Sequence, residues 1–264
     1  MQELIFDVGM HVGRDTEFYL KKGFRVVAVE ANPDLAERAK SQFSAELTSG
    51  QLTIVNKAVV DSDAASVEFY VNEKKDDWGT THPDWNRSLN KQYRSIQVPA
   101  VRFDQLIRDF GVPYYLKIDI EGADVNCLNG CLRQAARPKY ISVELMTPNN
   151  LAGHSADAME ILCCLRAMGY NRFQISDQSR LKSVRCQNPP LEGSFVDFQF
   201  DGHSSGPFGR ELQLKSFTID QISELYLNWF YRRKTGSWFP FGSGKQSQTP
   251  FHDKGWFDVH ATTA

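Results

Sequence analysis

The 264-residue chain predicts an α/β fold, a doubly wound and mostly parallel seven-stranded sheet with helices on both faces. Two patterns carry that expectation. Short apolar runs of strand length alternate with helix-period stretches through the first half, and Gly, Asn and Pro punctuate them at helix ends. A third observation is that carboxylates and glycines gather where these strands end, the edge at which open parallel sheets bind ligands.

Leu4 to Val8 reads as the first strand and Gly13 to Lys22 as a short helix that Gly23 closes. Arg25 to Glu30 forms the second strand. Asn32 and Pro33 then suit the N-cap and first helical positions, and Leu35, Ala39 and Phe43 repeat at four-residue spacing as a buried stripe. Leu52 to Val59 is the third strand and Ser66 to Val71 an extra one, followed by a polar, aromatic insertion from Lys74 to Ser88. Phe103, Leu106, Ile107 and Phe110 fall at i, i+3, i+4 and i+7 of a helix ending at Gly111. Tyr114 to Ile120 and Lys139 to Leu145 are further strands, Ser155 to Met168 a helix, and Arg172 to Ile175 and Phe195 to Phe200 two more strands. A last helix near Thr218 to Arg233 opens with a Thr218/Gln221 capping box and a Phe217/Ile222 hydrophobic staple.

Composition narrows the function classes. Hydrophobic residues make up 41% and charged residues 23%, as in ordinary globular chains, and no apolar run has the length of a membrane span. Thirty basic against 32 acidic side chains give a net charge of −2, which supplies no general attraction to nucleic acid. The five cysteines show no C-x-x-C spacing and read as reduced core thiols, and the start MQELIFDVG lacks a basic, apolar leader. A cytoplasmic location is expected.

Two constellations carry chemistry. The first strand runs into Asp7-Val8-Gly9-Met10-His11-Val12-Gly13, a D-x-G-x-x-x-G turn whose glycines let a ligand press on bare backbone at a helix start. Glu30 closes the second strand beside the same crevice, where a carboxylate can accept both ribose hydroxyls. A pyrophosphate-binding G-x-G-x-x-G would need glycine where His11 stands, so an adenosine ligand without two phosphates fits better than a dinucleotide. The second constellation is Lys117-Ile118-Asp119-Ile120-Glu121-Gly122. Lys117, Asp119 and Glu121 alternate and so share one side of an otherwise apolar strand, either as working groups or as an internal ion pair.

IFDVGMHVGRDT, VVAVEANP and YLKIDIEGAD together resemble the FkbM-type methyltransferases, a branch of the class I S-adenosylmethionine-dependent enzymes with a Rossmann-like fold. The resemblance covers about residues 4 to 145 and extends more loosely to SSGPFG at Ser204 and WFDVHA at Trp256. It departs at Met10-His11, where many members carry Ala-Asn. The resemblance implies S-adenosyl-L-methionine as cofactor. It sets Asp7, Gly9, His11 and Gly13 around the methionine part, Glu30 on the ribose with Asn32 close by, and Asn56 and Ala58 near the adenine. Asp119 and Glu121 then face the sulfonium and the acceptor. It also implies O-methylation of a small molecule, sugar or natural product, with nitrogen left open as nucleophile. A dinucleotide-dependent oxidoreductase and an inactive nucleotide-binding scaffold are the alternatives.

No His, Cys or Asp spacing forms a zinc motif, and no metal is expected. His82, His203 and His260 lie in segments that could place a general base, and His260, inside WFDVHA, is the favoured one. The chain divides into a cofactor-binding domain over residues 1–200 and an aromatic-rich extension over 201–264 that packs on it and covers the acceptor. The aromatic, basic stretch from Trp229 to Lys234 suits packing or a homodimer contact better than a membrane surface.

Overall fold

The computed structural model describes residues 2–72, 79–81, 93–145, 154–235, 249–252 and 255–263. His82, most of the insertion after Lys74, and the tail aromatics Trp238, Phe239 and Phe241 lie outside them. Seven strands form one sheet in the order β3-β2-β1-β7-β8-β10-β9. They are β1 (Leu4–Val8), β2 (Arg25–Val29), β3 (Leu52–Val55), β7 (Tyr115–Ile118), β8 (Tyr140–Leu145), β9 (Arg172–Asp177) and β10 (Phe257–Thr262). All run parallel except β10, which is antiparallel to both neighbours. The strand order reverses between β1 and β7, and that switch point opens a crevice at their carboxyl ends.

Alternation along the strands separates two cores. Leu4, Phe6 and Val8 of β1 join Leu116 and Ile118 of β7 in one cluster, while Ile5 and Tyr115 belong to the other. Asp7 and Lys117 therefore sit on the Ile5/Tyr115 face, the face covered by Phe18 and Tyr19 of α1 (Arg14–Lys21). The opposite face holds α4 (Phe103–Phe110), α5 (Asp124–Leu132), α6 (His154–Ala167) and α7 (Ile219–Thr235). Helix α2 (Pro33–Gln42), which the short α3 (Ser44–Ser49) follows, starts as its sequence indicates: Asn32 Oδ1 accepts the Asp34 N–H at 3.0 Å, and Leu35, Ala39 and Phe43 are buried.

Helix α7 has its reciprocal capping box. The Thr218 N–H donates to Gln221 Oε1 at 2.9 Å and the Gln221 N–H to Thr218 Oγ1 at 3.3 Å, with Phe217 and Ile222 both buried.

Three strand expectations differ. The run Leu52 to Val59 breaks, because Asn56 Nδ2 donates to the carbonyls of Glu30 and Ala31 and turns the chain. Its second part becomes β4 (Ala58–Val60), which pairs with β6 (Tyr93–Arg102) and, through it, β5 (Ser66–Asn72) in a separate three-stranded sheet. Phe195 to Phe200 is not a strand. Two of its aromatics pack on α1 instead: the rings of Phe198 and Phe200 lie 5.2 and 5.0 Å from Phe18. The remaining place in the sheet is taken by Phe257–Thr262, from the segment read as cover for the acceptor.

That strand sits between β8 and β9, with Phe257, Val259 and Ala261 buried on one side and Asp258 and His260 on the other. Burial on both faces is what a central strand requires. Trp229 of α7 and Phe251 pack on Phe257 at 5.7 and 5.1 Å, so these three rings belong to the core. A chain ending at Trp256 would leave β8 and β9 unpaired along facing edges. It is expected to lose its cooperative thermal transition in circular dichroism, and a transition of unchanged midpoint would contradict the assigned topology.

Candidate functional site

The centre of the switch point is one buried ammonium. Lys117 Nζ lies 3.1 Å from Asp7 Oδ1, 3.7 Å from Asp119 and 3.9 Å from Asp15, and donates to the Gly9 carbonyl at 2.7 Å. Burial works against this charge, but Asp7, Asp119 and Asp15 outweigh it and raise its pKa, so Lys117 is a fixed cation. The internal pair that strand alternation allowed is thus present, and it does not exclude a working role. Asp7 is held on its other side by Thr16 Oγ1, which donates at 2.6 Å. Asp15 accepts the Ser205 N–H with both oxygens at 2.9 Å, and burial pushes its carboxyl up to about 7.

Gly9 lets the two strand ends meet. Its φ is +84°, and a Cβ there would stand 1.8 Å from the Asp119 carbonyl oxygen. Beyond it, His11 and Glu121 both hold left-handed backbone at φ 51°, a conformation that costs a residue with a side chain about 1–2 kcal/mol. Two contacts stabilise these turns. Glu30 Oε2 accepts the His11 N–H at 2.8 Å, while Thr80 Oγ1 donates to the Glu121 carbonyl at 2.8 Å. Asp124 holds the second turn further, accepting the N–H groups of Ile120 and Gly122.

Glu30 also accepts the Asn32 N–H through Oε1 at 2.8 Å. Burial pushes its carboxyl up to about 7, against the pull of those two N–H donors. Its backbone carbonyl is braced by Asn56. The His11 N–H, turned toward Glu30, is already used, which agrees with a loop not arranged for a pyrophosphate.

These groups surround a cleft of about 930 Å³, counting space open to solvent. Of the residues expected at the site, Gly9, His11, Glu30, Ala58, Asp119 and Glu121 line it. Asp7, Gly13, Asn32 and Asn56 stand behind that lining: Asp7 on Lys117, Gly13 at the α1 N-cap, Asn32 on α2, and Asn56 on the Glu30 turn. His260 lies in the middle of β10 opposite Ser142 and Gln174, its Nε2 3.1 Å from Ser176 Oγ, and burial lowers its pKa to about 3. The structure brings His203 to the cleft instead, its ring 5.2 Å from that of His11.

Sequence reasoning missed several lining residues. Phe69 and the Gly79–Thr81 stretch arrive with the three-stranded sheet, and Gln178, Ser204 and Trp256 come from distant segments. The Ser204 and Trp256 regions carried a signal, in SSGPFG and WFDVHA. Deeper in, the acids accumulate: burial pushes Glu144 well up, Asp258 up to about 8 and Asp124 up to about 6.

Removing the central cation should expose how much this arrangement depends on it. Lys117→Met leaves the fully buried Asp7 without its counter-charge and is expected to cost about 3–5 kcal/mol in urea unfolding. Adding Asp7→Asn should recover part of that loss. A Lys117→Met penalty under about 1 kcal/mol, the scale of an exposed pair, would contradict the account.

A family model described as the methyltransferase FkbM domain matches residues 7–172, well over half of the chain. Similar solved structures include the methyltransferase FkbM from Methylobacillus flagellatus KT, at 16% identity and a TM-score of 0.43, covering 73% of this chain and 42% of that one. The chain thus spans less than half the length of that protein. Precorrin-6y C5,15-methyltransferase from Geobacter metallireducens GS-15 has 9% identity and a TM-score of 0.40, over 100% of this chain and 81% of its own. A SAM-dependent methyltransferase from Archaeoglobus fulgidus has 12% identity and a TM-score of 0.40, over 98% and 86%. No curated protein matches the sequence, and the assignment rests on the family match. The chain belongs to the FkbM methyltransferase family.

Proposed function

We propose that the protein transfers a methyl group from S-adenosylmethionine to a hydroxyl oxygen of a small molecule, sugar or natural product. The observation that carries this reading is the layout of the cleft, with Glu30 on one wall and Asp119 and Glu121 on another. The residues present fit the cofactor. Glu30 offers a buried carboxylate for the ribose diol. Ala58, Val59, Phe69 and Ile120 offer apolar surface for a purine, and the Gly9–His11 turn lines the part of the cleft that the methionine part would occupy. Gly9, His11, Glu30 and Ala58 are the contact residues in this reading, with Asp7, Gly13, Asn32 and Asn56 as positioning residues.

Bound S-adenosylmethionine supplies an electrophilic methyl carbon on a cationic sulfur. The chain's task is alignment and proton removal. Asp119, fixed beside Lys117, receives the acceptor hydroxyl and takes its proton as the new C–O bond forms and the C–S bonding pair returns to sulfur. Glu121, on the adjoining turn, orients the acceptor. The wall of carboxylates also favours a cationic sulfonium over neutral ligands. The five cysteines, all free thiols, fit a reducing cytoplasm, and no helix among the described residues is long and apolar enough to cross a membrane.

Two measurements test the reading. Only ionised Glu30 accepts both ribose hydroxyls. Calorimetric affinity for S-adenosylhomocysteine should therefore be full above about pH 8 and fall as pH drops through about 7, to roughly a tenth near pH 6. Glu30→Gln should lose about 1.5–3 kcal/mol of binding at high pH and flatten that profile. A pH-independent wild-type affinity counts against the ribose contact. Asp119→Asn should keep the cofactor affinity and lower kcat by roughly 10²–10⁴, assayed with labelled donor against a hydroxyl-acceptor panel. Normal turnover would remove Asp119 from the chemistry.

A further inference from the structure

Beside the cleft, three carboxylates from two strand ends converge. Asp119 and Glu121 follow β7 and Glu144 closes β8, and each offers an oxygen within 4.8 Å of the others. Shared acidity is common on protein surfaces, but Glu144 is not on the surface. It is 6% exposed, and its Oε2 is buried with no hydrogen-bond partner among the described residues. Directly across the β8–β10 ladder stands Asp258, 2% exposed. Its Oδ1 accepts from Gln178 Nε2 at 2.5 Å, and its Oδ2 is likewise buried without a partner. Among the described residues the cation in this neighbourhood, Lys117, is already shared among Asp7, Asp15 and Asp119. A buried carboxylate beside two more carboxylates, with Oε2 unsatisfied among the described residues, is a place that a positive partner would fill.

We propose that Asp119, Glu121 and Glu144 form a binding site for a divalent cation at the acceptor end of the cleft. The donor set is all carboxylate oxygen, the preference of Mg²⁺, Mn²⁺ and Ca²⁺ rather than of zinc or copper. The spacing agrees. Ligand oxygens lie roughly 2.0–2.6 Å from such ions, so two ligands of one ion stand up to about 4–5 Å apart. Three carboxylates leave part of a six-fold shell open, and Asp119 and Glu121 both line the cleft. The open positions suit an acceptor that presents oxygen, and a hard cation favours a hydroxyl over a neutral amine. In this respect the inference rests on the methyl-transfer reading and deepens it, by selecting oxygen as the nucleophile. Asp119 can ligate with one oxygen and still take the acceptor proton with the other. The sequence gives no metal-type spacing because Glu144 lies 23 positions beyond Glu121 and reaches it only through the pairing of β7 with β8.

The test is a titration of the full chain, stripped with EDTA and desalted, with MnCl₂, with and without S-adenosylhomocysteine. Free Mn²⁺ is read by electron paramagnetic resonance. One tightly held Mn²⁺ per chain, displaced by excess Mg²⁺, is expected. Glu144→Gln should weaken it by roughly tenfold or more, since each ligand charge lost lowers affinity. S-adenosylhomocysteine affinity measured in EDTA should survive in that variant, which shows both that it folds and that the cofactor reading stands apart from the metal. Should Glu144→Gln fail to fold, Glu144→Asp, which keeps the charge and shortens the reach of the carboxylate, provides the same comparison. No stoichiometric Mn²⁺ in either condition, or unchanged Mn²⁺ affinity in the folded variants, overturns the proposal and leaves the acids holding protons. Mn²⁺ binding without any binding of S-adenosylhomocysteine would keep the cation site and refute the cofactor reading instead.

Discussion

The Lys117 ammonium, enclosed by Asp7, Asp15 and Asp119, is the interaction on which the rest of the site hangs. Each of those acids is also tied elsewhere. Asp7 takes the Thr16 hydroxyl and so fixes the start of α1, and Asp15 takes the Ser205 N–H and so fixes a loop almost two hundred residues away. The Gly9 carbonyl on the same Nζ holds the first turn, and the absence of a Gly9 side chain lets it lie against the Asp119 carbonyl. One charge thereby aligns both strand ends and the loop that carries His203. A site assembled this way is rigid before any ligand arrives, which is what alignment of a methyl transfer demands.

Such a centre is costly unless its charges are paired. A buried ion pair contributes little net stability against a hydrophobic substitute, whereas breaking it strands a charge. The fold accepts that cost at the crevice and recovers stability elsewhere. Two apolar clusters flank the sheet, and the aromatic group of Tyr226, Trp229, Phe251 and Phe257 locks the final strand. The same crevice carries more carboxylates than Lys117 can balance, with Glu30, Glu144 and Asp258 all raised by burial. The proposed cation site and a cationic cofactor would both complement such an excess among the described residues.

Much of this was legible in the sequence wherever short-range chemistry decided the outcome. The Asn32-Pro33 helix start, the Thr218/Gln221 capping box and the stripe through Leu35, Ala39 and Phe43 depend on neighbours within one turn, and each stands as its spacing indicates. The turn at Asp7–Gly13 and the acids at Asp119 and Glu121 were visible because parallel sheets place ligand residues at strand ends. What could not be read was set by long-range pairing. Alternating aromatics at Phe195–Phe200 look like a strand, but the sheet position went to Phe257–Thr262, whose pattern is equally strand-like. Periodicity alone cannot say which run finds an edge. That choice also moved the histidine at the cleft from His260 to His203, and it set Asp258 opposite Glu144. The insertion contributed Gly79 and Thr81 only because Thr80 bridges to Tyr70 and reaches the Glu121 carbonyl.

The central claim is that one cleft orients the donor from Glu30 toward Asp119. A crystal structure of the full chain with S-adenosylhomocysteine tests it most directly. The account predicts both ribose hydroxyls on the Glu30 carboxylate, the adenine against Ala58 and Phe69, and the sulfur on the side of Asp119 and Glu121. A ligand bound outside this cleft, or bound within it with the ribose away from Glu30, would contradict it.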